Sequence, residues 1–571
     1  MSATKNIPGV HKFFHQFEGI ATLRDDKYIS EWNKYTDKLT KTPNDPNLWC
    51  QRALACLKEG YPEIALIDAK RVLLLCDEIK DNIELQKISY EGRYYYAEAL
   101  RALGLPGMSA SEYEMLKDLS ESFDKTKKEK FQILALKLRQ LSNIRIQVSP
   151  DGTAEPKNDL LLKEISIKRG FTSPIMLSYV DCGWFKFVGQ YPWDKRPNER
   201  ISATILKDLQ NQLDNASNKK LKVVLRKLPP DLVKESKMTI HLGVESIKDF
   251  TTHEIILEED PFIAGHNHFS NRCEYCTLEL VEKPGHPRCS VKYPCHNSRC
   301  KELFCNKKCY KLAMKLYHKR LCGKSIDTII RSARRVRPGW NHIFILVLKL
   351  FALAKERDIN PLDIKEIKHL SRQHANSYYE GHLPWDSEYE IIYIEILKLT
   401  EISLYDLQYD FWVFITLMAI LGVNVFSGEG NIRDTHGVFP LTSLFNHSCN
   451  PLVTHMNATE RYFRKDLTQQ FMELRQKYQQ IDCNRFRFTT ITLQNVMKGQ
   501  EIFTCYVDTI DDKQQRQSRI LYTYGFICHC DKCEADPQCY FSLPGAICWN
   551  LHYYNDNDES FLSQFKCLNL E

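Results

Sequence analysis

The stretch Asn446-His447-Ser448-Cys449-Asn450-Pro451 decides how this chain is read. Two later segments belong with it: Gly499-Gln500-Glu501-Ile502-Phe503-Thr504-Cys505-Tyr506 and Tyr524-Gly525-Phe526-Ile527-Cys528-His529-Cys530-Asp531-Lys532-Cys533. The last is a C-x-C-x-x-C cluster, a thiolate spacing that suits a metal, and a tetrahedral zinc needs one further ligand. Cys449 is the natural fourth, because Ser448 and Asn450-Pro451 beside it carry turn chemistry. Zinc at that point pins the C-terminal segment onto the Asn446-His447 loop. A pocket is then expected between Asn446, His447, Tyr506, Tyr524 and Phe526.

Working outward, 571 residues suggest three or four domains at about 150 residues each. A hydrophobic share of 43% with 26% charged residues allows large cores. The net charge of +6 is small for this length and points to no particular partner. Residues 1–14 contain no apolar core of a secretory signal. The longest apolar run, 411–426, is short for a membrane span and reads as a buried helix. With 21 cysteines and no secretion signal, metal binding and free thiols are expected rather than disulfides, in a cytoplasmic or nuclear setting.

Residues 1–29 form a lead without period. From 30 to 145 the pattern is helical. Leu48, Trp49, Ala53, Ala55, Leu57, Ala65, Leu66 and Ala69 place apolar and small residues where two antiparallel helices approach, with Gly60 and Pro62 at the turn. This resembles a tetratricopeptide repeat. A weaker second copy runs from Tyr95 to Gly104 and into 109–119, and Phe131, Leu134, Leu136 and Leu138 suggest a capping helix. A generic helical bundle is the alternative. Repeats imply a concave surface for a peptide or protein, though they also suffice to brace a neighbouring domain.

Residues 146–235 read as a linker of uncertain fold. It has a turn at Pro150-Asp151-Gly152, a hairpin within 179–193, a helix over 205–213 and a hinge at Pro229-Pro230. Strands begin near Met238. A dense cluster follows: Cys273, Cys276, Cys289, Cys295, Cys300, Cys305, Cys309, His318 and Cys322. Cys273-x2-Cys276 and Cys305-x3-Cys309 each set two thiolates on one side of a metal, and His318-x3-Cys322 sets two ligands one helical turn apart. Residues 323–425 are helical and apolar. The basic run Arg331, Arg334, Arg335 and Arg337 reads as a solvated helix face, with a contact to an acidic partner as the lesser reading. An insertion at 460–480 is charged and helical in pattern.

Together these segments resemble the SET-and-MYND-domain proteins within the SET-domain protein-lysine methyltransferases, in the branch with N-terminal repeats. The "NHSC-N-P" loop, the "GEEI-x-x-x-Y" tyrosine and the "YGF-x-C-x-C" cluster occur in the family's order, and 254–262 resembles its "G-E-x-I-L-x-E-x-P-F" strand. The resemblance implies an α+β multidomain fold. A β-rich SET domain over 236–527, with a knot-like C-terminal segment, is interrupted by a MYND zinc finger at 273–322 and a helical insert at 323–425. A post-SET cluster at 528–534 and a tail at 535–571 follow.

By the same resemblance Cys273, Cys276, Cys305 and Cys309 hold one zinc, and Cys295, Cys300, His318 and Cys322 a second. Cys295 and Cys300 depart from the family's C-x2-C spacing, so Cys289 is an alternative to Cys295. Cys449, Cys528, Cys530 and Cys533 hold the third. His286 and His296 read as bystanders, and Cys539, Cys548 and Cys567 as free thiols.

The resemblance further implies methyl transfer from S-adenosylmethionine to lysine side chains of a protein. Tyr506 would be catalytic and would touch the donor. Asn446, His447, Ser443, Phe445, Asn424 (in Asn424-Val425-Phe426) and Phe526 would bind the donor, and Tyr524 would line the lysine channel. The family's "G-K/R-G-x-G" turn survives only as Ile240-His241-Leu242-Gly243, which favours a rival reading. In that reading the chain is a weak or inactive scaffold acting through protein contacts in transcriptional regulation. Peptide partners at the finger and repeats are expected. Direct nucleic-acid binding is disfavoured, the finger's Lys301, Lys307, Lys308, Lys311 and Lys315 reading as solubilising charge, and no membrane association is expected.

Overall fold

The structure, a computed structural model, describes residues 26–77, 82–142, 147–148, 154–155, 183–186, 191–227, 240–266, 271–280, 293–336, 341–372, 382–385, 387–428, 435–456, 486–507, 511–524 and 526–535. Cys289, His286, the insertion at 460–480 and the three C-terminal cysteines lie outside these residues.

Six consecutive helices open the described chain: α1 (Asp26–Leu39), α2 (Pro46–Lys58), α3 (Pro62–Asp77), α4 (Ile83–Ala102), α5 (Pro106–Phe123) and α6 (Lys128–Ser142), each packed on the next. Local chemistry sets their ends. Asp45 and Asn82 cap α2 and α4 by accepting two backbone N–H bonds each. Gly60 and Gly104 take positive φ after α2 and α4, and Pro62 and Pro106 open the following helices. The two turns share one hydrogen-bond pattern, Tyr61 N to Cys56 O at 2.8 Å and Leu105 N to Leu100 O at 2.9 Å.

Helices α1 to α4 share a core with the centre of the protein, and α5 and α6 pack with α4 in a cluster of their own. That centre is helical: α8 (Asn341–Arg357), α9 (Glu388–Thr400) and α10 (Phe411–Asn424). The apolar run expected as a buried helix is α10. Extended to Leu407–Asn424 it reaches 18 residues of mean hydropathy 1.4, and 78% of it is buried inside the protein. Arg331, Arg334 and Arg335 are exposed on helix Asp327–Val336, as a solvated face requires.

The expected linker yields two corrections. Gly183–Lys186 pairs antiparallel with His382–Trp385, so among the described residues its partner is a distant segment rather than the other arm of a hairpin within 179–193. Tyr191 and Trp193 instead enter the core, Trp193 stacking on Trp32 at 4.0 Å. Further on, α7 (Ala203–Ser217) is capped by Ser202 and buries Ile205, Leu209 and Leu213, one face at four-residue spacing. It packs on β1 (Leu221–Lys227), which pairs antiparallel with β2 (Ile240–Ser246). Residues 203–227 are thus part of the β-rich core rather than a connector.

That core contains small sheets. β3 (Ile255–Glu259) pairs with β9 (Phe488–Thr492), which pairs with β8 (Val453–Met456). β4 (Ile263–His266), β5 (Val425–Ser427) and β6 (Thr435–Val438) form a second sheet with β6 central. β7 (Asn446–His447) and β10 (Phe503–Thr504) pair in parallel. Leu242, Val244, Leu444, Phe445 and Ile502 are buried together beneath these strands.

Candidate active site and metal centres

Three groups of four side chains bring their ligand atoms within 4.8 Å of one another: Cys273, Cys276, Cys305 and Cys309; Cys295, Cys300, His318 and Cys322; Cys449, Cys528, Cys530 and Cys533. A tetrahedral zinc with thiolate bonds spaces its sulfurs by about 3.8 Å. The sulfurs of Cys276 and Cys305 lie 3.6 Å apart, those of Cys295 and Cys322 3.5 Å, and those of Cys449 and Cys528 3.9 Å. All three groups therefore fit zinc. In the second, Cys300 stands 3.6 Å from His318 Nε2, so the wider C-x4-C spacing still closes with Cys295.

Local structure supplies this convergence. Asn306 caps the helix Lys307–Ala313 through Cys309 N at 2.9 Å while its amide donates to Cys305 Sγ at 3.2 Å. Asn297 likewise donates to Cys322 Sγ at 3.3 Å. Such N–H donors stabilise thiolates and orient them. His296 is tied to the Tyr293 hydroxyl at 2.7 Å and stacks on Tyr310, outside both groups. At the third group Arg516, buried against the sulfurs, approaches Cys533 Sγ at 3.8 Å and offsets their charge. No spacing in the sequence marks Arg516.

The third group is continuous with the candidate active site. His447 Nε2 lies 3.4 Å from Cys449 Sγ, and its Nδ1 accepts the Tyr506 backbone N–H at 3.0 Å. An accepting Nδ1 carries no proton, so Nε2–H donates to the sulfur. Burial favours this neutral ring by lowering the His447 pKa to about 4. The parallel β7–β10 pairing sets this contact, because Tyr506 follows β10 by two residues.

The Tyr506 hydroxyl donates to the Phe445 carbonyl at 2.7 Å, and burial, with Tyr524 beside it, pushes its pKa well above the ordinary value. Tyr524, at the end of α11 (Lys513–Tyr524), places its ring 4.7 Å from that of Tyr506. Phe526 lies 6.2 Å from the His447 ring. Tyr506, Tyr524, Phe526 and His447 thus converge, as expected from sequence. Phe445 contributes its carbonyl, since its ring is buried in the core against His455 at 5.3 Å.

Asn446 Nδ2 donates to Leu242 O at 3.0 Å and to Glu501 Oε1 at 2.9 Å. Glu501 is itself held by Arg226 Nε at 2.9 Å, and Arg226 reaches Glu245 at 2.8 Å. Ile240-His241-Leu242-Gly243, which the resemblance matches to the family's turn, lies in strand β2, in keeping with strands that begin near Met238, because 240–246 pair in register with 221–227. Gly243 is needed there for space: a Cβ would stand 2.5 Å from Glu501 Oε1 and 2.9 Å from Asn446 Nδ2. Glu501 is the neighbour of Asn446 that sequence reasoning passed over. Glu501 lies inside the quoted motif, where only Tyr506 was assigned a role.

Asn424 is buried at the end of α10, and its amide is committed to the carbonyls of Ser371 and Ile420, both at 2.7 Å. Ser443 is different: its Oγ is buried without a hydrogen-bond partner among the described residues. A buried hydroxyl with an unfilled hydrogen bond, three residues before Asn446, suits a polar ligand such as S-adenosylmethionine.

No model of a known protein family matches the chain. Among curated proteins it is 25% identical over 301 residues to N-lysine methyltransferase SMYD2 of Sus scrofa, covering 51% of this chain and 57% of that protein. It is 25% identical over 325 residues to protein-lysine N-trimethyltransferase SMYD5 of Gallus gallus, covering 46% of this chain and 75% of that protein. A SET and MYND domain-containing protein of Dictyostelium discoideum is 28% identical over 131 residues, 22% of this chain and 20% of that protein. The chain therefore spans little more than half the length of its SMYD2 relative. In its ordered motifs, its three cysteine groups and these relatives together, the chain is similar to the SET and MYND domain proteins.

Proposed function

We propose that the chain is a protein-lysine methyltransferase that uses S-adenosylmethionine and carries three zinc ions. The observation that carries this reading is the junction of Asn446, His447, Tyr506 and Tyr524 with a metal-ligand group. The donor supplies a methyl group on a sulfonium centre. The chain's own residues then have three tasks. Tyr506 and Tyr524 form aromatic walls that admit a lysine and, by excluding water, favour its neutral amine. The Phe445 carbonyl and the Tyr506 hydroxyl present oxygens where a methyl group or an amine is positioned. Asn446 and Ser443 supply polar contacts to the donor.

Several finer points belong to the same proposal. Residues 273–322 act as a MYND finger, and the parallel β7–β10 pairing supports the knot-like passage of the C-terminal segment. The repeated Gly60 and Gly104 turns support tetratricopeptide-like repeats, whose shared core with α8–α10 favours bracing.

A second reading, a scaffold that binds donor poorly, is favoured by one observation. Both Asn446 amide hydrogens are already engaged by Leu242 and Glu501, which leaves only its Oδ1 for a ligand. Titration of S-adenosylmethionine into zinc-loaded protein separates the two. Binding that is lost in Asn446→Ala and kept in Tyr506→Phe, with lysine methylation lost in the latter, supports the enzyme. No binding by the folded protein leaves the scaffold.

A further inference from the structure

The methyl donor carries an α-carboxylate, and none of the residues so far assigned to its pocket is a lysine or an arginine. Four guanidinium groups are candidate partners for that carboxylate. Arg226 is engaged by Glu501 and Glu245, Arg372 by Asp194 at 2.6 Å, and Arg516 by the sulfurs of the third metal group. Arg200 has no carboxylate within ion-pair distance among the described residues. Its Nε donates to the His369 carbonyl at 2.5 Å and its Nη2 to Ser371 Oγ at 3.2 Å.

The placement of Arg200 follows from the fold. It stands two residues before Ser202, the cap of α7, and faces the segment 369–371. Ser371 is a shared anchor, since its carbonyl takes the Asn424 amide at 2.7 Å. Toward the active site, the charge of Arg200 reaches both the Tyr506 phenol and His241. Arg200 is half-buried, and burial with Arg372 beside it lowers its pKa to about 10, so at neutral pH it is a partly desolvated cation with no carboxylate partner among the described residues. Desolvating a guanidinium without a counter-charge is costly, and a bound carboxylate relieves that cost. Nη1 and the second Nη2 hydrogen remain for a two-point contact.

We infer that Arg200, held by Ser371 and the His369 carbonyl, binds the α-carboxylate of the methyl donor. This inference rests on the methyltransferase reading, and its test separates the two. S-Adenosylmethionine and its decarboxylated analogue are titrated calorimetrically into the full-length, zinc-loaded chain, as wild type, Arg200→Met and Arg200→Lys. The wild type is expected to prefer the carboxylate-bearing donor. Arg200→Met weakens that donor by about 10- to 100-fold and leaves the decarboxylated analogue unchanged, while Arg200→Lys recovers part of the loss.

If the wild type prefers the carboxylate-bearing donor and Arg200→Met binds it equally well, the inference about Arg200 falls and the methyltransferase reading stands. If the wild type binds neither compound, both fall. Should Arg200→Met fail to retain zinc and a cooperative thermal transition, the wild-type comparison decides, and equal affinity for the two compounds overturns the inference.

Discussion

Arg52 on α2 and Asp410 at the start of α10 meet at 2.8 Å with both side chains buried, although 358 residues separate them in the chain. Asp68 and Arg71 of α3 complete the group. Asp68 accepts both Nε and Nη2 of Arg52, and Arg71 bridges Asp68 to Asp410 at 2.7 and 2.8 Å. Trp49 lies over both guanidinium groups, and Asp410 also accepts the Phe411 N–H that opens α10. Two positive and two negative charges balance with their hydrogen bonds made, the condition under which ions tolerate burial. The N-terminal helices are thereby joined to the helix that leads into β5.

Asp410→Asn leaves two buried guanidinium groups facing one carboxylate. Breaking such a group from one side costs about 3–5 kcal/mol. Thermal and urea denaturation of the variant are expected to show that loss, with β-sheet signals and zinc content kept at low temperature. A loss below about 1 kcal/mol, the range of exposed ion pairs, would show that the group contributes little to stability.

Gly243→Ala tests the close approach of β2 to the site. The added carbon meets the ends of the Glu501 and Asn446 side chains, which can swing away. Stability is therefore expected to fall by only about 1 kcal/mol, in the ordinary range of single substitutions, while donor affinity drops by about tenfold as Asn446 turns. Calorimetry alongside thermal melts checks the split, and unchanged affinity would remove Asn446 from the donor pocket.

Metal analysis should find three zinc ions per chain, one for each ligand group. Cys449→Ser is expected to lose one ion and to uncouple His447, so that Tyr506 fluorescence and donor binding change together. Chelation of all three should collapse the finger, which is too small to hold a core without metal. Retention of all three ions in Cys449→Ser would place the third one elsewhere.

Glu63 on α3 gives a pH signature. Burial pushes its pKa up from 4.5 to about 8, opposed by its own backbone bond and by the Tyr191 hydroxyl, which donates to it at 3.0 Å. The folded chain thus keeps a proton that the unfolded chain has released. The stability contributed by this group is complete below pH 4.5 and is lost as the pH rises through about 8. Glu63→Gln, which keeps the acceptor without the charge, is expected to flatten the decline of Tm over that interval. An identical decline in the variant would assign it to another group.

Much of the site was legible in the sequence because its residues sit in short local motifs. The four cysteines from Cys449 to Cys533, the finger ligands, and the group of His447, Tyr506, Tyr524 and Phe526 were all named from spacing and motif order. Metal ligation constrains spacing strongly, and so leaves a readable trace. The helices from Pro46 to Phe123 were visible for a similar reason, since their caps, glycines and prolines act locally.

Other features depended on partners far away in sequence. Glu501, Arg516 and Arg200 draw their significance from Asn446, Cys533 and Ser371, and single charged residues carry no pattern that reveals such neighbours. The partner of Gly183–Lys186 was not legible, because a strand's partner is set by tertiary hydrogen bonding, here with His382–Trp385. Strands are legible from near Met238, but the pairing of 240–246 with β1 and the steric role it gives Gly243 depend on distant partners. The sequence by itself marked the candidate ligands, the aromatic residues of the motifs and the turns between the N-terminal helices, whose causes lie within a few residues. Tertiary structure alone decided which charges are buried together and which strands pair, because those energies arise only when distant segments exclude water from one another.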